Sequence, residues 1–241
     1  MNKLRFYLNK KLDERIAEEF LNIQGGGIDF GKGIIKIHPK LKLAKSPKDV
    51  VQRKKFIHTY FDNYYRTHKI AILRKIEKVR KVWRKKEQEY IIITEDFFGG
   101  FKFPQGKYIA YASIINCNPR FLEPKTFQFF YKKTIHDIIY TIAHELLHFI
   151  FFDFIEKKFS KETKHLSENQ LWNLSEIFNV VVLKSPRYRR IVNQKFVIPY
   201  PGHQHYIRQF QKVYKISQNT EEFIRHGISI ISAKNMSALS Y

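Results

Sequence analysis

The sequence predicts an α+β fold, mainly helical over its first third, with a small sheet supplied by the remainder. Three observations lead there. Apolar residues recur at helical spacing through much of residues 10–88. Two short β-rich runs, 90–94 and 108–117, follow on either side of a Gly99-Gly100 turn. A long apolar stretch over 133–158 and a capped helix ending near Leu183 come next, without a linker between them.

Taken in order, residues 10–23 read as a helix with Leu12, Ile16, Phe20 and Ile23 near one face, ended by Gly25-Gly26-Gly27. Ile28 to Ile37 reads as a short hairpin around Gly31 and Gly33. Ser46-Pro47 starts a helix as N-cap and first helical residue, and helical character runs to about Gln88, with a break near Thr67. Ile70, Leu73, Ile76, Val79 and Trp83 give this helix an apolar stripe. Strands are expected at Tyr90–Thr94 and Tyr108–Cys117, the second broken at Asn118-Pro119. Ser167 and Gln170 form a capping box for the helix that stops before Pro186. Tyr200-Pro201-Gly202-His203 is turn-rich, and two shorter helices are expected around 204–216 and 219–233. The organisation expected is a basic, mainly helical region over 1–88 and a second region over 89–241, within one compact unit.

Composition narrows the function classes. The 241 residues are 44% hydrophobic and 16% aromatic, which supports a sizeable core and excludes a disordered chain. The single cysteine, Cys117, allows no intrachain disulfide and reads as a small buried hydrophobe. The N-terminus lacks the apolar run of a signal peptide. Ile138 to Ile155 approaches the length of a membrane span but holds His144, Glu145, His148 and Asp153, so a buried core helix and a cytoplasmic protein with no membrane span are expected. The net charge of +22 favours acidic partners. It concentrates in residues 66–86, which read either as a solvated helix face or as a contact for nucleic acid or another acidic partner.

The informative stretch is His144-Glu145-Leu146-Leu147-His148. Residues four apart share a helix face, so His144 and His148 can aim two imidazoles at one metal ion. Glu145 lies about 100° round the helix, in reach of a water at that metal but poorly placed as a ligand. The flanking residues are apolar on all sides, and two histidines and a glutamate buried together need a partner that a dication supplies. A catalytic zinc takes a third protein ligand. Asp153 follows His148 too closely, and His165 lies in a polar loop. Glu168 sits where a carboxylate complements a helix N-terminus. Glu176 lies mid-helix among Trp172, Ile177 and Phe178, where a carboxylate wants a cation; Asn179, one turn on, can orient a ligand. Glu176 is the expected third ligand and Glu168 the alternative.

These residues resemble the gluzincin group of zincin metallopeptidases, in which HExxH lies on an active-site helix and a glutamate on a second helix completes the zinc site. The resemblance covers roughly residues 90–210. It implies a zincin-like fold with a small mixed or antiparallel sheet, Zn²⁺ as cofactor and a peptide or protein as substrate. Residue by residue, it implies His144, His148 and Glu176 as ligands and Glu145 as general base in a zinc-dependent endopeptidase. It further implies an edge strand that pairs with extended substrate, and Tyr108–Ile115 lies where that strand would be, although a plain core strand fits the residues equally well. It implies too that a Tyr or His stabilises the oxyanion; Tyr200, His203, His205 and Tyr206 are the candidates, with His203 and Tyr200 foremost. The spacing from His148 to Glu168 fits the thermolysin-like pattern better than that to Glu176. Two alternatives compete: a DNA-associated SprT-like metalloprotease, which uses a third histidine, and a catalytically inactive zincin-fold binding protein.

Overall fold

The computed structural model describes residues 3–45, 49–192 and 199–233. The fold is mixed α+β, predominantly helical with a small sheet. Strand β1 (Arg5–Leu8) leads into helix α1 (Lys10–Phe20), which Asn9 caps by accepting from the Leu12 N–H. A two-stranded ladder of β2 (Gln24–Gly25) and β3 (Ile28–Asp29) follows.

Where a hairpin was expected over 28–37, only Ile28–Asp29 is strand; Phe30–Ile37 is helix α2. Asp29 caps it by accepting from Lys32 N, and the buried residues Gly31 and Ile34 fall at helical spacing. Gly31 is needed for close approach, because a Cβ there would lie 2.0 Å from the Leu21 carbonyl oxygen.

Helix α3 (Val50–Arg84) runs 35 residues without a break at Thr67, whose hydroxyl donates to the carbonyls of Asn63 and Tyr64 within the helix. Asp49 caps it; the expected cap Ser46 lies outside the described residues. The expected strand at 90–94 is instead part of helix α4 (Glu87–Phe97). Its three isoleucines favour strand locally, but Tyr90 and Thr94 are the buried positions, four apart, while Ile92 faces solvent. Tertiary burial overrides local propensity here.

The main sheet adds β4 (Ile109–Ser113), β5 (Arg120–Phe121) and β6 (Thr126–Phe130), in the order β1-β4-β6-β5. β4 is parallel to both β1 and β6, and β5 is antiparallel to β6. Of the two readings open for 108–115, the core strand holds and the edge strand does not: β4 is paired on both sides, and β1 and β5 are the edges. β1 and β6 had no clear signal. β1 is four residues long, and all five residues of β6 are buried, so no alternation marks it.

Helix α5 (Ile135–Lys158), capped by Thr134, crosses one face of the sheet, with Phe149 packed on Tyr108 and Phe127. After the short α6 (Ser160–Thr163), the Ser167/Gln170 capping box starts α7 (Glu168–Leu183) as expected. α7 lies against α5 through Phe178 and Phe151, and is covered by α8 (Gln204–Ile216) and α9 (Thr220–Ser232). Helix α5 is apolar and long enough to cross a membrane, yet 83% of its most apolar 18 residues are buried within the fold. β1 and α1 belong to the same hydrophobic cluster as α5 and α7, so the N-terminal residues share the core. Cys117 is half-buried, and burial pushes its thiol up to about 12.

Candidate metal centre

Two adjacent helices build the centre. Tyr140, His144, His148 and Phe152 form one row along α5 at four-residue spacing, with adjacent rings 4.7–6.0 Å apart. Glu176 reaches this row from the middle of α7. His144 Nε2 lies 3.1 Å from Glu176 Oε2, His148 Nε2 lies 3.3 Å from Glu176 Oε1, and the two Nε2 atoms are 3.0 Å apart. All three residues are buried or nearly so; His148 is fully enclosed. Asn179, one turn along α7, donates from Nδ2 to the His144 carbonyl at 3.0 Å and locks the two helices together at this height.

This buried group can hold a metal ion. Its donors are two nitrogens and a carboxylate oxygen with no sulfur, a set suited to zinc and to neighbouring divalent transition metals. Ligands at 2.0–2.1 Å from a tetrahedral ion sit roughly 3.3 Å from one another, close to the separations found. A second observation sets this region apart. Nine buried side-chain polar atoms among the described residues have no hydrogen-bond partner. Five belong to this centre: Tyr140 OH, His144 Nδ1, Glu145 Oε2, His148 Nδ1 and Asn179 Oδ1. An unpartnered buried polar group costs about 1–3 kcal/mol, and these groups are concentrated around the three converging side chains.

The electrostatics suit a cation. Burial alone would raise the Glu176 carboxyl, but the two imidazoles overcome it and hold it well below its ordinary range. Burial, helped by Arg120, drives His148 far down, leaving a neutral imidazole of the kind a metal requires. For His144 burial also acts downward, yet Glu176 outweighs it and the net shift is upward. Burial pushes Glu145 up to about 7, against the downward pull of His144 and Arg120.

The structure brings Glu176, not Glu168, to the imidazoles. Glu168 is exposed in the first turn of α7. Asp153 pairs with Lys157, and His165 meets Ser232 Oγ at 3.0 Å; neither joins the centre. His203 is buried beside α7, with Nε2 on Asn173 Oδ1, and burial lowers it to about 4, so its ring is neutral. Tyr200 packs against both Trp172 and His203. Its hydroxyl is shifted upward, chiefly by burial and then by Glu176 and Glu145, which places it within the field of the centre.

Sequence reasoning missed Arg120 and Tyr140. Arg120 projects from β5 on the same face as its register partner Phe127, towards α5. Its Nη1 lies 2.8 Å from Glu176 Oε1 and 3.9 Å from Glu145 Oε2, and its guanidinium covers the Phe152 ring. Nothing near Asn118-Pro119 signalled this long-range placement. Tyr140 had a signal, its position one turn before His144.

Two other features stand apart. Glu14, His58 and Asp62 also converge, but both His58 nitrogens already face carboxylates and Lys10 pairs with the two acids. A cavity of about 740 Å³ between α4, the end of α5 and the start of α9 shares no residue with the centre.

Comparison with protein-family models, with curated proteins and with solved structures finds no match for this chain. The functional reading therefore rests on the geometry.

Proposed function

We propose that the protein is a zinc-dependent endopeptidase of gluzincin type, with a zincin-like arrangement of active-site helix α5 and glutamate helix α7. One observation carries the reading: two imidazole Nε2 atoms and a carboxylate converge within 3.0–3.3 Å beside a second buried carboxylate, Glu145, whose Oε2 has no hydrogen-bond partner. A buried structural pair would need neither Glu145 nor the row of unsatisfied atoms.

His144, His148 and Glu176 would hold the ion. When bound, zinc supplies a Lewis acid that lets a water lose its proton near neutral pH and polarises a carbonyl. Glu145 takes the proton from the attacking water and delivers it to the leaving amine; a carboxyl raised to about 7 is matched to both transfers. Arg120 fixes the Glu176 carboxylate through the 2.8 Å contact. Tyr200 is the better placed oxyanion donor, because the His203 Nε2–H is committed to Asn173. β5, an outer strand bearing Arg120, offers a sheet edge to an extended peptide in place of β4.

Glu145→Gln tests the assignment. The variant keeps its metal and its fold and loses turnover of a peptide library by at least about a hundredfold. Normal turnover in this variant sinks the proposal, as does a wild-type protein that takes up no metal.

A further inference from the structure

Helix α3 carries charge far beyond what its fold requires. Residues 66–86 contain ten Lys and Arg against one acid, Glu77. Arg80 pairs with Glu77 and Arg84 with Glu87; no other cation of this stretch has a carboxylate within 4 Å among the described residues. Arg66, Lys69, Arg74, Lys78, Lys81 and Lys85 are all exposed. At 100° per residue they fall within one half of the helix circumference, along a stripe of about 28 Å. Lys86 Nζ donates to the Arg190 carbonyl at 2.6 Å, which brings Arg189 and Arg190, both exposed and without a carboxylate partner among the described residues, near the C-terminal end of the helix. Two apolar residues, Ile70 and Leu73, lie exposed among the cations.

We propose that this face of α3 docks on the phosphate backbone of double-stranded nucleic acid, without reading its sequence. Charge complementarity selects the partner. A stripe of cations about 28 Å long, none with a carboxylate within 4 Å among the described residues, matches a duplex, whose phosphates present one charge per about 1.7 Å of axis. Membrane is the poorer fit: a helix lying in a bilayer surface buries a continuous apolar face in lipid, whereas the apolar face of α3, including Ile57, Phe61, Ile72, Ile76 and Trp83, is spent in the core. No motif for base contacts accompanies the stripe, so affinity comes from counterion release and is independent of sequence. The inference stands apart from the peptidase reading and does not depend on it.

The test uses the full chain and a labelled duplex of about 30 base pairs, followed by fluorescence anisotropy from roughly 50 to 300 mM salt. Six phosphate contacts give a slope of log K against log salt of about −5. Lys69→Glu/Lys78→Glu/Lys81→Glu weakens binding at least about tenfold and makes the slope shallower by about three. The control Lys36→Glu/Lys40→Glu/Lys42→Glu changes net charge equally at exposed positions elsewhere and leaves the slope near that of wild type. Circular dichroism checks that both variants fold. Absence of duplex binding by wild type overturns the proposal. So does equal weakening in both variants, which assigns binding to net charge alone. Binding to anionic phosphatidylserine vesicles without binding to duplex overturns it in favour of a lipid surface.

Discussion

Arg120 Nη1 sits 2.8 Å from Glu176 Oε1, so the carboxylate that faces two imidazoles is also held by a cation from the edge of the sheet. Glu176 thus has its orientation fixed from two directions, by α5 and by β5. Partners in this outer position typically contribute a factor of 10–100 to metal affinity. Arg120→Gln is expected to weaken metal binding by about that factor, read by competition with a chelating dye, while circular dichroism stays unchanged. Tighter binding in the variant would mean that Arg120 competes with the ion for Glu176, and would overturn the orienting role.

Metal loading should stabilise the fold through the same three residues. A ligand that binds only the native state adds about 2.7 kcal/mol at a free concentration of 100 Kd. For a chain of this size that corresponds to a rise in Tm of about 5–11 °C. The rise should appear on adding zinc to chelator-treated protein and vanish in Glu176→Ala, whereas Glu168→Ala keeps it. Loss of the rise in Glu168→Ala instead would move the third ligand one helical stretch towards the N-terminus of α7.

Much of this centre was legible in the sequence. The HExxH spacing, the apolar flanks of 138–152 and the Ser167/Gln170 capping box are local signals, and local signals survive folding because α5 and α7 are ordinary capped helices. Glu176 was legible because a carboxylate amid Trp172, Ile177 and Phe178 needs a cation wherever the helix packs. What failed was placement decided at long range. The isoleucines at 91–93 suggested a strand, but burial of Tyr90 and Thr94 against α5 and Tyr188 selected a helix. Arg120 meets Glu176 across 56 residues of sequence, which no period or cap encodes. The central position of β4 depends on β1, more than 100 residues upstream in its pairing with Ile109.

The β2–β3 turn links the N-terminal region to the rim of the centre. Gly26 has φ +58, and a Cβ there would lie 2.6 Å from the Tyr200 ring and 3.2 Å from Trp172. Gly26→Val combines a strained backbone with this overlap and should destabilise the protein by about 1–3 kcal/mol in urea unfolding. Its donor residues are untouched, so metal content should hold. Gly33 supplies the contrast: it lies within α2 and a Cβ there meets nothing within 4 Å. Gly33→Ala should stabilise by about 0.5–1 kcal/mol. A neutral Gly26→Val would show that the turn yields freely and does not pin Tyr200.

Asp13 sets a pH dependence that belongs to the fold and not to the metal. Its carboxylate is fully buried on α1 and accepts from the hydroxyls of Ser113 and Tyr65, from Ile114 N and from Gln128 Nε2, so four donors from α3, β4, the residue after β4 and β6 meet on one group. No cation is among them, and burial pushes the carboxyl up to about 6, against the lowering effect of these bonds. An acid whose folded pKa lies above its unfolded value near 3.9 binds more protons when native. Its favourable contribution is therefore complete below about pH 4 and is lost as pH rises through about 6. A shift of about two units corresponds to about 3 kcal/mol. Asp13→Asn removes the titration while placing an amide where two donors already point, so it should lower stability at every pH. The gap between wild type and variant is the informative quantity: in urea unfolding it should shrink by about 2 kcal/mol between pH 4 and pH 6.5 and level off above about pH 7. A gap that stays flat across that window and widens only up to about pH 4 would mean that Asp13 is ionised throughout and stabilised as an anion by its four donors.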